Sequence, residues 1–212
     1  LNGAAMKIKI CGITNIEDAV TAESCGADAI GFIFYKKSKR YIEPSAAGEI
    51  IAALSPFTVK VGVFVNEEQD YINKTASGIK LNAVQLHGDE TPEYIEGINH
   101  PVIKGFRVKE GFDFSVINKY KGIPVLLDAY SAAEYGGTGT SFDWNLIPPE
   151  LKNRIILAGG ISINNIENIL TNIKPAAIDV SSSLETGISS VPLRKDQHKI
   201  KSFFNKINLY MR

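Results

Sequence analysis

One repeated alternation constrains this chain more than any other feature. A short apolar run is followed by a longer segment with helical spacing, and then by the next apolar run. The apolar runs fall at residues 7–11, 29–34, 58–65, 83–86, 102–106, 123–128, 155–158 and 177–180. Helical periodicity occupies 15–25, 44–54, 112–120, 163–173 and 195–208, with further helix starts near Asn66 and Thr91. Strands that are apolar on both faces and joined by helical crossovers predict a parallel sheet covered by helices. Roughly eight such units, one about every 25 residues, suit a closed barrel near the short end of that fold's range. An open doubly wound sheet is the competing architecture, but no GxGxxG follows the first run. The expected fold class is therefore α/β, a single (β/α)8 TIM barrel over residues 6–212. Residues 1–5 are read as an expression scar, with Met6 as the native start. The ends otherwise read as complete, so half of a bifunctional enzyme is not expected.

Local signals support the element boundaries. Thr14 with Glu17 reads as a capping box for the first helix, and Gly26 as its left-handed stop. Pro44 suits a first helical turn. Asn66 with Gln69 reads as another helix start, and Thr91-Pro92 as an N-cap and first position. Ile200, Phe203, Phe204 and Ile207 fall on one face of the last helix.

Composition removes several function classes. Lys plus Arg and Asp plus Glu each number 23, so the formal net charge is zero. Neither a nucleic-acid footprint nor a polybasic membrane segment is present. No apolar run is long enough to span a bilayer, and residues 1–5 do not form a signal peptide. Cys11 and Cys25 are too few for a disulfide framework and read as reduced thiols of a cytoplasmic protein. The three histidines (His87, His100 and His198) are far apart, and no cluster has metal-ligand spacing, so no metal is expected.

Chemistry in such a barrel sits at the C-terminal ends of its strands. Cys11-Gly12 ends the first run, and Lys36, Lys37, Lys39 and Arg40 follow the second. Gln85, His87 and Gly88 belong to the fourth, Arg107 to the fifth and Asp128 to the sixth. Gly159-Gly160 follows the seventh, and Asp179 with Ser181, Ser182 and Ser183 ends the eighth. Phosphate often binds this fold at the loops after strands seven and eight. Gly159, Gly160 and Ser181–Ser183 accordingly read as a phosphate site. Each residue also has a plainer reading: Cys11 as a core thiol, Asp128 as a capping carboxylate, Arg40 as a surface charge, and Gly159-Gly160 as a tight turn.

These residues belong to an ordered set of motifs. They are Lys9-Ile10-Cys11-Gly12-Ile13-Thr14, Gly31-Phe32-Ile33-Phe34, Ser38-Lys39-Arg40-Tyr41-Ile42, Val61-Gly62-Val63-Phe64-Val65-Asn66, Val84-Gln85-Leu86-His87-Gly88, Leu127-Asp128, Gly136-Gly137-Thr138-Gly139, Phe142-Asp143-Trp144 and Leu157-Ala158-Gly159-Gly160. The set resembles the phosphoribosylanthranilate isomerases of tryptophan biosynthesis over nearly the whole chain from Met6. The resemblance implies that Cys11 is a general base and Asp128 a general acid. It implies that Arg40 holds the anthranilate carboxylate, and that Gly159, Gly160 and Ser181–Ser183 hold the phosphate. Gln85, His87 and Asp179 join the expected substrate contacts. Ser183 departs from the family's glycine, where a Cβ could tighten the turn or block a positive φ.

The implied reaction is an Amadori rearrangement without a cofactor, on a small phosphorylated substrate. An acid protonates the furanose ring oxygen and a base removes the C2′ proton. Asp128 is expected to be pushed up. Cys11 is expected to be pushed down by nearby cations, or to pass its proton on when substrate binds. Residues 131–140 are expected to form a mobile cover. A monomer is expected, with a homodimer as the alternative. The rivals are a non-catalytic phosphate-binding barrel and another phosphosugar isomerase. A metal-dependent epimerase would need ligand spacing absent here, and a histidine-pathway isomerase would need aspartates ending strands one and five.

Overall fold

A computed structural model of the chain describes residues 6–129, 142–187 and 193–210. The strands are β1 (Lys7–Cys11), β2 (Ala29–Ile33), β3 (Val59–Phe64), β4 (Ala83–Leu86), β5 (Val102–Val108), β6 (Val125–Ala129), β7 (Ile155–Leu157) and β8 (Ala177–Val180). Each pairs in parallel with the next, and β8 returns to β1 through Lys7↔Ala177 to Ile10↔Val180, which closes the barrel. The expected single (β/α)8 TIM barrel is the observed fold.

The helices are α1 (Ile16–Cys25), α2 (Pro44–Ala53), α3 (Gln69–Gly78), α4 (Pro92–Ile95), α5 (Pro149–Lys152), α6 (Ile166–Asn168) and α7 (Gln197–Tyr210). They cover the sheet's outer face, and the main core lies between sheet and helices. There Ile8 and Ile10 of β1, and Ile178 and Val180 of β8, meet Ala19 and Ala22 of α1 and Phe203 and Phe204 of α7 within one cluster. Ile200, Phe203, Phe204 and Ile207 are all buried, as the spacing predicts. Among the described residues, no helix is long and apolar enough to cross a membrane.

Three local expectations are corrected. The α1 cap is Asn15, whose side chain accepts from the Asp18 N–H at 2.8 Å, while Thr14 Oγ1 donates to the Leu193 carbonyl at 3.1 Å. A long-range tie has taken the hydroxyl that the capping-box pattern assigned to the helix. Asn66 lies outside α3 at φ 49°, where its side chain accepts from the Asp89 N–H; the helix begins at Gln69 with Glu68 as an N-cap that makes no side-chain bond. Between β5 and β6 the crossover is a 3₁₀ segment, Phe114–Tyr120, rather than an α-helix. After β7, α6 widens into a π-helical turn over Ile169–Ile173, which Lys174 ends at φ 52°. The expected cover at 131–140, with its glycines Gly136, Gly137 and Gly139, lies outside the described residues, as does the segment 1–5.

Candidate active site

Because side chains alternate across a strand, Lys9 and Cys11 of β1 point into the barrel while Ile8 and Ile10 point out. The register carries this inward set round the sheet. Lys9 stands beside Asp179, Val63 beside Gln85, and Arg107 beside Asp128. At the C-terminal end Cys11, Val63, Gln85, Asp128 and Asp179 of this set line a cavity of about 680 Å³, counting the space open to solvent. Its walls include Cys11, Arg40, Gln85, His87, Asp128, Gly159, Gly160, Asp179, Ser181 and Ser182, together with Tyr35 and Ser38. Thus all but one of the expected catalytic and substrate-contact residues meet in one site, whereas Lys36, Lys37, Lys39, Gly88 and Arg107 of the strand ends do not line it. Ser183 is the exception. Its Oγ is buried without a hydrogen-bond partner, and it does not line the cavity.

Cys11 is 6% exposed and Asp128 is also 6% exposed. Burial pushes the Cys11 thiol up and the Asp179 charge adds to this; Lys9 and Lys195 pull the other way without cancelling it. The expected downward push is therefore not met in the ligand-free protein, because the loss of solvent outweighs the two ammonium groups. Asp128 Oδ1 accepts from the Ala129 N–H at 2.8 Å, and Oδ2 lies 3.4 Å from His87 Nε2.

A polar chain runs beneath these groups. Lys9 Nζ donates to Asp179 Oδ2 at 2.6 Å and to Gln85 Oε1 at 3.0 Å. Gln85 Nε2 lies 3.0 Å from His87 Nδ1. Burial opposes the Lys9 charge, yet Asp179 and Cys11 hold its pKa above the ordinary lysine range. Two polar atoms remain unpartnered in this set, His87 Nε2 and Asp179 Oδ1. A buried donor or acceptor left unmade costs about 1–3 kcal/mol, so such atoms in a cavity mark where a ligand's polar groups belong.

A second cluster secures the β8 end. Arg40 Nε and Nη2 donate to Glu185 Oε1 and Oε2, and Lys195 Nζ donates to Glu185 Oε1, Ser181 O and Ser181 Oγ. Ser181 Oγ in turn donates to the Cys11 carbonyl at 2.9 Å, so this hydroxyl joins β8 to β1 instead of facing the cavity as a spare donor. Arg40 is 5% exposed, which excludes the reading as a solvated surface charge.

Gly159 and Gly160 follow β7 at φ 81° and 67°, a region that L side chains rarely adopt. Among the described residues, the N–H groups of Gly160, Ser182 and Ser183 bond no backbone carbonyl. Positive φ outside glycine occurs there only at Asn66, Lys80 and Lys174, so Ser183 makes its 3₁₀ turn without left-handed strain.

Lys9, Glu185 and Lys195 were not singled out by sequence. The available signal was period two: Lys9 shares a face with Cys11 in a strand whose intervening residues are isoleucine.

The comparisons with known proteins agree with this geometry. A sequence profile for the family described as N-(5′phosphoribosyl)anthranilate (PRA) isomerase matches residues 8–206. A protein of Trichlorobacter lovleyi named N-(5′-phosphoribosyl)anthranilate isomerase is 46% identical over 200 residues, 93% of this chain and 96% of the relative. The Thermotoga maritima phosphoribosyl anthranilate isomerase superposes with a TM-score of 0.85 at 41% identity, covering 96% of this chain and 98% of the neighbour. A further solved structure, of the isomerase with reduced 1-(o-carboxyphenylamino)-1-deoxyribulose 5-phosphate, has a TM-score of 0.82 at 41% identity, with 96% and 98% covered.

Proposed function

This chain belongs to the N-(5′-phosphoribosyl)anthranilate isomerase family and catalyses that family's step in tryptophan biosynthesis, and we propose that Cys11 is the base and Asp128 the acid. The substrate is N-(5′-phosphoribosyl)anthranilate and the product 1-(2-carboxyphenylamino)-1-deoxyribulose 5-phosphate. The observation that carries the assignment is that β1 and β6 deliver a thiol and a carboxyl to one cavity, with His87 Nε2 and Asp179 Oδ1 unpartnered beside them.

Asp128 gives its proton to the furanose ring oxygen as the C1′–O bond breaks and the anthranilate nitrogen forms a Schiff base. Cys11 passes its thiol proton on as substrate binds and, as thiolate, takes the C2′ proton, while the electron pair of the broken C2′–H bond forms the C1′–C2′ double bond of an enolamine. That intermediate gains a proton at C1′ and loses the one on the C2′ hydroxyl, which leaves the ketone. Each general acid–base contribution is worth about 10²–10⁴ in rate. The anthranilate carboxylate binds at Arg40, whose planar guanidinium suits two-point contact. The phosphate binds at the β7 and β8 turns through the backbone of Gly160 and Ser182. Ribose hydroxyls meet His87 Nε2 and Asp179 Oδ1.

The reading extends to a cytoplasmic monomer that works without a cofactor. One solved relative, from Thermotoga maritima, is described as a dimeric isomerase from which monomers were generated. Sedimentation equilibrium distinguishes the two states, since a doubled mass identifies a homodimer. The activity is tested by generating phosphoribosylanthranilate in situ and following the loss of its fluorescence. Turnover no faster than that of Cys11→Ala would overturn the assignment.

A further inference from the structure

A lysine ammonium can only donate hydrogen bonds, whereas a glutamine amide has one accepting end and one donating end. The Gln85 atom 3.0 Å from Lys9 Nζ is therefore its carbonyl oxygen. The NH₂ end then faces His87 Nδ1 at 3.0 Å. A donor on one side of that contact requires an acceptor on the other, so Nδ1 carries no proton. The imidazole proton sits on Nε2, the atom 3.4 Å from Asp128 Oδ2.

We propose that Lys9 is a positioning residue that sets the His87 tautomer through Gln85, so that Nε2–H rather than a bare nitrogen faces Asp128. The inference rests on the assignment of Asp128 as the acid and adds to it. The Nε2–H form leaves one donor inside the cavity, since Nε2 has no hydrogen-bond partner among the described residues. A substrate oxygen within reach of both His87 Nε2 and Asp128 Oδ2 meets a donor whose proton is fixed by Lys9 and Gln85, and a bare Nε2 would offer it none.

The groups around this relay come from several strands. Lys9 and Cys11 lie on β1, Asp179 at the end of β8, Gln85 and His87 at the end of β4, and Asp128 on β6, while Lys195 and Arg40 lie beyond Ser181 and Glu185. Asp179 fixes the ammonium at 2.6 Å, which makes Lys9 a held donor rather than a mobile one. The point where a Gly31 Cβ would stand is 2.7 Å from Cys11 Sγ and 3.1 Å from Lys9 Nζ, so one small residue borders both groups. Second-sphere partners commonly fix a histidine's tautomer in this way at metal sites; here the partner is an amide polarised by a buried cation.

The test is a ¹⁵N-histidine NMR spectrum, which needs no turnover and so stands apart from the assignment of Cys11 and Asp128. His87 is assigned by its loss in His87→Asn. In the wild type at neutral pH, Nε2 should be the protonated, pyrrole-type nitrogen and Nδ1 the bare one. In Lys9→Met the Gln85 amide is free to turn its NH₂ toward Asp179, and His87 should move to the Nδ1–H form. Gln85→Glu keeps the shape and the contact with Lys9 but has no N–H to offer, so it should also yield a protonated Nδ1, and it serves if Lys9→Met does not fold. A bare Nε2 in the wild type would overturn the proposal. So would an unchanged Nε2–H, bare-Nδ1 spectrum in a folded Lys9→Met or in Gln85→Glu. If Cys11→Ala or Asp128→Ala proves fully active while these tautomers hold, the acid–base assignment fails and the tautomer control stands.

Discussion

The Arg40 guanidinium is held along one edge by the Glu185 carboxylate, Nε to Oε1 at 2.5 Å and Nη2 to Oε2 at 2.9 Å. This two-point pair fixes the plane of the group that we assign to the substrate carboxylate. Lys195 adds a second cation at 3.0 Å from Oε1, so one buried carboxylate is shared by two cations. The cluster links three parts of the barrel mouth: the loop after β2, the turn after β8 and the entry to α7.

Glu185→Gln should destabilise the protein by about 3–5 kcal/mol, the usual cost of removing one partner from a buried ionic pair. Urea unfolding measures this. The same substitution frees the Arg40 plane, so KM should rise more than kcat falls. Arg40→Ala should show the same division more strongly. A loss confined to kcat in both variants would move Arg40 into the transition state.

Stability should fall in acid through Glu185. Burial works against its charge, but Arg40 and Lys195 together hold its pKa below the ordinary glutamate range. A depressed folded pKa means that the unfolded chain binds protons first. The contribution is present above the unfolded value of about 4.3 and is lost as pH falls through the folded one. Urea titrations at pH values spanning this window should show a shallower loss for Glu185→Gln than for the wild type. Parallel curves would assign the acid sensitivity to other groups.

Cys11→Ala and Asp128→Ala should each lose about 10²–10⁴ in kcat with the fold intact by circular dichroism. Near-normal turnover in either variant would reject that residue's role.

Cys11 should titrate above the ordinary thiol range of about 8.5 in the ligand-free protein. Thiolate is the form that alkylates, so the iodoacetamide rate rises with pH through the thiol pKa. A Cys25→Ser background isolates the signal, since the other free cysteine is only half-buried. A midpoint below the ordinary range would mean that Lys9 and Lys195 outweigh burial.

Gly105→Ala should damage the site without changing the fold. Its Cβ would stand 2.5 Å from His87 Nδ1, so the ring and its Gln85 contact must shift. A displacement of about 1 Å at a reacting centre costs about 10²-fold in rate. Steady-state kinetics with the tautomer spectrum would check this, and wild-type kcat/KM would show that the ring tolerates the displacement.

The barrel was legible because its signal is repeated. Eight apolar strands at nearly regular spacing outweigh an error in any one boundary. β1, β4 and β8 appear at the residues expected, whereas the first cap moved from Thr14 to Asn15. That error has a long-range cause, since Leu193 is 179 positions from Thr14. The cavity residues were legible because strand ends converge in this fold, so position along the repeat indicated which polar residues meet. Ser183 misled because a residue adjacent to a lining pair need not face the same way on a 3₁₀ turn.

Periodicity and motif order are properties of the chain, and from them follow the closed barrel, the family, and the meeting of Cys11, Asp128 and the glycine turn at one mouth. What each polar group is paired with depends on the folded arrangement. Lys9 and Asp179 are 170 positions apart, and Arg40 and Glu185 are 145 apart. No local pattern encodes such pairs; closure of β8 onto β1 and the folding of the β8 turn across the mouth create them. Those pairs set how much burial is opposed by charge at Cys11 and Glu185, and which nitrogen of His87 faces the acid.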